Sequence, residues 1–85
     1  MKFGLYPIVI ECMEEGGYYA ECPLLQGCHA EGETYSEAIE NLQDVMRIIL
    51  ESYRDLGKVA PPVPIFNQNI VITLSIPIEL KEASV

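Results

Sequence analysis

The run that begins Thr34-Tyr35-Ser36-Glu37 leaves the least freedom to the rest of the chain. It has the form of a capping box, in which the Thr34 hydroxyl accepts the backbone N–H of Glu37 and the Glu37 carboxylate reaches back to the cap amide. Beyond it Ala38, Ile39, Leu42, Val45, Met46, Ile49, Leu50, Tyr53 and Leu56 recur at steps of three and four, an apolar stripe over about five helical turns. Gly57 supplies the left-handed conformation that ends a helix. A helix that long, apolar on one side only, must lie on a flat partner.

The flanking residues supply one. Leu5 to Cys12 is apolar and β-branched and reads as a strand; Glu14-Glu15-Gly16-Gly17 is a turn, and Tyr18 to Cys22 returns as the second strand of a hairpin. Period two then puts Ile8, Ile10, Cys12, Tyr18, Ala20 and Cys22 on one face and Val9, Glu11, Tyr19 and Glu21 on the other. After a bend over Pro23 to Gly27, a short third strand fits Cys28 to Glu31, with Cys28 and Ala30 inward and His29 and Glu31 outward. The prolines between Ala60 and Pro64 forbid both helix and ladder, so that stretch is an extended link. From Ile70 to Ile78 the chain alternates again, Ile70, Ile72, Leu74, Ile76 and Ile78 against Val71, Thr73, Ser75 and Pro77, and reads as a long last strand. Pro77 places that strand at an edge. The fold expected is α+β, in the order β-β-β-α-β: an antiparallel three-stranded meander on one long amphipathic helix, plus a long C-terminal strand.

A single domain over residues 1–85 is all this length supports, and a body of this size buries only roughly 60–65% of its unfolded surface. With 49% apolar residues and no Trp, surplus apolar surface is expected to be shared with further copies, as a dimer or tetramer, through Ile70, Ile72, Leu74 and Ile76 on the exposed edge. The first residues, MKFGLYPIVIEC, have no long apolar core and are interrupted by Pro7; neither a signal peptide nor a membrane span is expected, and the expected place is the cytoplasm. Three cysteines in such a chain fit reduced thiols.

The net charge is −8, and its distribution says more. Between Lys2 and Arg47 there is no Lys or Arg, against nine acidic residues: Glu11, Glu14, Glu15, Glu21, Glu31, Glu33, Glu37, Glu40 and Asp44. Such a half repels phosphate, which speaks against nucleic-acid binding and for a basic protein partner.

Catalytic and metal chemistry fit poorly. Cys12, Cys22, Cys28 and His29 lack the close ligand pairs of a zinc site, and adjacent Cys28 and His29 point to opposite faces, so buried free thiols are expected and no metal. The same opposition denies Cys28 a base in His29. A residual two-metal nuclease built on Glu11 with Glu37 or Glu40 lacks converging carboxylates and a basic groove. No catalytic residue and no cofactor are expected. Tyr19, Glu21, Leu24, Leu25, Gln26, His29 and Glu31 instead form an aromatic and aliphatic patch with acidic rims, the surface by which a protein is recognised.

The stretch Gly16 to Asn41, GGYYAECPLLQGCHAEGETYSEAIEN, closely resembles the HicB-type antitoxin family, whose pattern runs Gly-Gly-Tyr, a Pro-x-Leu-x-Gly-Cys bend, then Gly-[Asp/Glu]-Thr-x-x-Glu-Ala-x-x-Asn. With YPIVIE before it and the helix beyond, the likeness covers about two thirds of the chain. Its marks fall on Gly17, Pro23, Gly27, Cys28, Gly32, Thr34, Glu37, Ala38 and Asn41. Each has a structural use: Gly27 permits the bend, Cys28 enters the core, Gly32 relieves the turn into the helix, and Thr34 with Glu37 caps it.

The resemblance implies a partial ribonuclease-H-like fold and an antitoxin role. HicB-type proteins bind HicA-type toxins, small basic mRNA-cleaving ribonucleases, and cover their working surface, so the chain is expected to be a non-enzymatic ribonuclease inhibitor in a type II toxin-antitoxin pair. The alternative it leaves is an orphan HicB-like module with another partner. Leu24 and Gln26 stand where the family often has Asp and Pro. Many members continue into a DNA-binding domain; IVITLSIPIEL resembles the strand of a ribbon-helix-helix, but no helices follow it in this sequence, so no direct DNA binding is expected.

Overall fold

In a computed structural model, residues 3–67 and 69–81 are described. Six elements follow in order: β1 (Phe3–Gly4), β2 (Val9–Cys12), β3 (Tyr18–Glu21), β4 (His29–Gly32), α1 (Tyr35–Asp55) and β5 (Ile65–Phe66). The main sheet is the antiparallel meander β2-β3-β4, in the register Ile10↔Ala20↔Ala30 and Cys12↔Tyr18↔Gly32. A second, small sheet pairs β1 with β5, extended by the Leu5 N–H donating to the Pro64 carbonyl at 2.9 Å. The first strand is therefore shorter than its composition suggests, because Pro7 has no N–H for a ladder, and the stretch before it turns to β5 instead.

The hairpin turn is closed by Met13 N–H to the Gly17 carbonyl at 3.0 Å. From β3 to β4 the bend is held by Cys22 N–H on the Cys28 carbonyl at 3.0 Å and Leu25 N–H on the Cys22 carbonyl at 3.1 Å. Gly27 takes a φ of +73° there, which other side chains resist. This places Ala20, Cys22, Leu25 and Cys28 inward, where with Ala38 and Leu42 they are the buried core.

Helix α1 starts as expected, the Glu37 N–H donating to Thr34 Oγ1 at 3.0 Å, but the Glu37 carboxylate accepts from the Glu33 N–H at 3.1 Å, one residue before the cap. At its end, Gly57 N–H meets the Arg54 carbonyl and Lys58 N–H the Tyr53 carbonyl, the paired bonds of a Schellman turn. The helix lies over β4 and β3 rather than over β2. A 21-residue helix is about 31 Å long, whereas a four-residue strand is about 13 Å. The overhang explains why only Ala38 and Leu42 of its stripe are fully buried, and why Leu56, placed on the stripe from the sequence, is exposed.

Two expectations are corrected. Cys12, read as a buried thiol, is exposed: it closes β2 on the half of the inner face that α1 does not reach. The alternating run Ile70 to Ile78, read as a long last strand at a sheet edge, joins no ladder among the described residues, and Ile72, Leu74, Ile76 and Ile78 are all more than half exposed. Period-two alternation fixes which side chains share a face, but a strand also needs a neighbour, and the chain's own returning segment pairs earlier, at Ile65–Phe66. The radius of gyration reflects this arm: 15.8 Å against about 12 Å for a compact domain of this length.

Candidate functional site

The outer face of the meander is free of the helix and carries two cross-strand rows, Val9–Glu21–His29 and Glu11–Tyr19–Glu31. Sequence alternation places Tyr19, Glu21, His29 and Glu31 together, and the register brings them into contact: the Tyr19 and His29 rings stack with centroids 5.9 Å apart and planes at 25°. Residues diagonal across two strands are within reach of aromatic side chains, which is how Tyr19 meets His29 rather than its direct partner Glu31. The carboxylates surround this pair. Partial burial pushes the Tyr19 phenol up, and the negative charges of Glu21, Glu11 and Glu31 raise it further.

Leu24 and Gln26 are exposed on the bend beside this face. Leu25 is not part of the surface: it is 2% exposed and belongs to the core, supporting the bend from beneath. Glu11 and Val9, absent from the patch as read from sequence, complete its rows. Their signal was the alternation itself, which sets them on the outward face. Around the corner, Glu15, Glu31, Glu33 and Glu37 line a shallow cleft of about 530 Å3 between the hairpin turn and the start of α1. The described basic residues lie elsewhere, and Arg47 is paired with Asp44 at 2.6 Å.

The residues of the quoted motif have mechanical duties. Gly32 lies directly under the helix: a Cβ there would sit 2.4 Å from the Ala38 nitrogen and 2.8 Å from the Glu37 carbonyl carbon. It is a close-approach glycine, rather than a relief for the turn. Asn41 donates from its side-chain amide to the Glu31 carbonyl at 2.8 Å, tying α1 to the outer edge of β4. Sequence reasoning assigned Asn41 no such role. Ala38 is buried and Pro23 is exposed on the bend.

As for metal chemistry, Cys22 and Cys28 are in the core, Cys12 is on the inner face and His29 on the outer one. Among the described residues no three His, Cys, Asp or Glu side chains are grouped to hold an ion. Burial pushes the Cys28 thiol up, with neighbouring Cys22 adding to it. Glu11 and Glu37 are on opposite sides of the sheet, and Glu37 is occupied at the helix start.

A sequence profile described as "HicB_like antitoxin of bacterial toxin-antitoxin system" matches residues 6–72, from the approach to β2 through α1 and past β5. The chain belongs to the HicB-like antitoxin family. Among HicB-like relatives, it is 32% identical over 72 residues to Antitoxin HicB 1 of Photorhabdus laumondii, covering 84% of this chain and 46% of that one. It is 43% identical over 47 residues to the UPF0150 protein ssr1765 of Synechocystis, covering 55% of this chain and 60% of that one. A second Synechocystis protein, UPF0150 protein ssl0259, is 51% identical over 47 residues, 55% of this chain and 64% of that one. The matched stretch thus spans about half to two thirds of the length of these relatives. Among the described residues no helix is long and apolar enough to cross a membrane.

Proposed function

We propose that the chain is the antitoxin of a type II toxin-antitoxin pair and that the outer face of β2, β3 and β4 receives a small basic HicA-type ribonuclease. The observation that carries this reading is the Tyr19–His29 stack framed by Glu11, Glu21 and Glu31. Stacked aromatic rings are rigid anchors for a partner's side chains, and a carboxylate frame speeds the approach of Lys- and Arg-rich surfaces while selecting against acidic ones. Inhibition on this reading is occlusion: the toxin's RNA-binding surface is covered, no bond is made or broken, and the chain acts stoichiometrically rather than as an enzyme. Nucleic acid is not the proposed partner, because this face offers no Lys or Arg to phosphate. The encounter is placed in the cytoplasm, where mRNA is cleaved.

The test is a pull-down at low salt from the source lysate with this chain as bait, identification of bound proteins by mass, and an RNA-cleavage assay with and without the bait. A small basic ribonuclease is expected, silenced at one equivalent, with affinity falling roughly tenfold or more as salt is raised through the physiological range. Tyr19→Ala is expected to weaken the complex by about 2 kcal/mol, roughly thirtyfold. A retained ribonuclease that still cleaves RNA, or no basic protein retained, overturns the reading. The second of these outcomes leaves an HicB-like module with another partner.

A further inference from the structure

The bend between β3 and β4 closes on two thiols that the antitoxin reading does not use. The β3–β4 register pairs Glu21 with His29, and the next rung beyond that pair is Cys22 opposite Cys28. The Cys22 N–H donates to the Cys28 carbonyl across it at 3.0 Å. Both side chains point inward, 1% and 3% exposed, into the same core cluster. Residues directly opposed on adjacent antiparallel strands have Cα atoms about 4.5–5.5 Å apart, within the range that a disulfide spans. The two thiols also act on each other, since Cys22 is among the groups that raise the Cys28 thiol.

This rung is the last of the ladder. The Cys28 N–H turns back to the Leu25 carbonyl at 3.2 Å instead of crossing to Cys22, so the strands are joined here by a single bond and can draw together without breaking a second. The remaining thiol is placed apart. Cys12 is opposite Tyr18, four residues and about 13 Å along β3 from Cys22, and it is exposed. Within the chain, the fold brings only Cys22 and Cys28 together.

Access to the pair comes through the bend. Pro23, Leu24, Gln26 and Gly27 are exposed on it, and short surface segments of this sort open locally at a free energy below that of global unfolding. In the closed state all the thiols are free.

We infer that Cys22 and Cys28 are a reversible dithiol pair, oxidised to a cross-strand disulfide by a low-molecular-weight disulfide of the glutathione type. One thiolate, uncovered as the bend opens, attacks the oxidant, forms a mixed disulfide and releases one thiol. The second thiolate then displaces the other half. The protein gains one S–S bond and gives up two electrons, its two thiol protons pass to the leaving thiolates, and the oxidant departs as two thiols. The bond closes the bend covalently and fixes Leu24 and Gln26 beside the acidic aromatic face. At a hydrogen-bonded rung the side chains are set wider than at the alternate rungs, and the resulting strain keeps such a disulfide reducible. The inference does not rest on the toxin-binding reading, and either can fail without the other.

The experiment incubates the whole 85-residue chain, and its Cys12→Ser variant, in a graded series of oxidised-to-reduced glutathione ratios. The reaction is quenched in acid, the remaining thiols are alkylated after unfolding, and peptides are mapped by mass. In excess oxidised glutathione both chains are expected to give a bridged Cys22–Cys28 peptide within a single chain, and in excess reduced glutathione both thiols are expected to return. The bridged form of Cys12→Ser is expected to melt about 5–10 °C above its reduced form, because closing the loop constrains the unfolded chain. Cys22 and Cys28 that stay alkylatable, or stop at the mixed disulfide, overturn the proposal. A bridge from either of them to Cys12 overturns it as well, as does a bridged form that melts below the reduced one.

Discussion

Gly32 and Cys28 show how much single positions carry in a core that, among the described residues, holds six buried side chains. At Gly32 the obstacle to a larger residue is helix backbone, which cannot swing aside as a flexible side chain can. Gly32→Ala is therefore expected to cost about 1–3 kcal/mol, which lowers the thermal midpoint of a domain this small by roughly 4–8 °C per kcal/mol; calorimetry on the variant checks it. At Cys28 the folded state holds the thiol proton more tightly than the unfolded chain does, because burial disfavours the thiolate and Cys22 adds to this. The sign follows from linkage: a group raised on folding contributes stability that is complete below its unfolded value, about 8.5, and lost as pH rises through the folded value. Urea midpoints are expected to be level between about pH 7 and 8 and to fall above about pH 9, with the alkaline fall reduced in Cys28→Ala.

At the scale of elements, the helix is the best specified part of the chain because its signals agree with one another. Thr34 at the cap, the three-and-four stripe and Gly57 past the end each point to the same boundaries. Thr34→Ala is expected to cost about 1 kcal/mol and Thr34→Ser far less, measured by urea unfolding followed through helical ellipticity. The meander is legible for a similar reason: alternation across Val9 to Glu31 fixes both faces, so the sequence alone groups Tyr19, Glu21, His29 and Glu31. What was not legible depends on distances between elements. Nothing in the local pattern says that the helix leans toward β4 and leaves Cys12 uncovered, that Leu25 turns inward at the bend, or that the alternating arm lacks a partner within its own chain. Those outcomes rest on tertiary packing, for which periodicity has no term.

For the whole molecule, the acidic aromatic face and the arm are on opposite sides of one three-stranded sheet. A basic partner seated on the first, as proposed above, would leave the second free. The bond from Asn41 to the Glu31 carbonyl adds something further. An uncovered strand edge is a template on which further strands can add without limit, the route to fibrils. On β4 an outward carbonyl of that template is already occupied by the molecule's own helix. The edge strand of the meander is thereby less open to a strand of another chain.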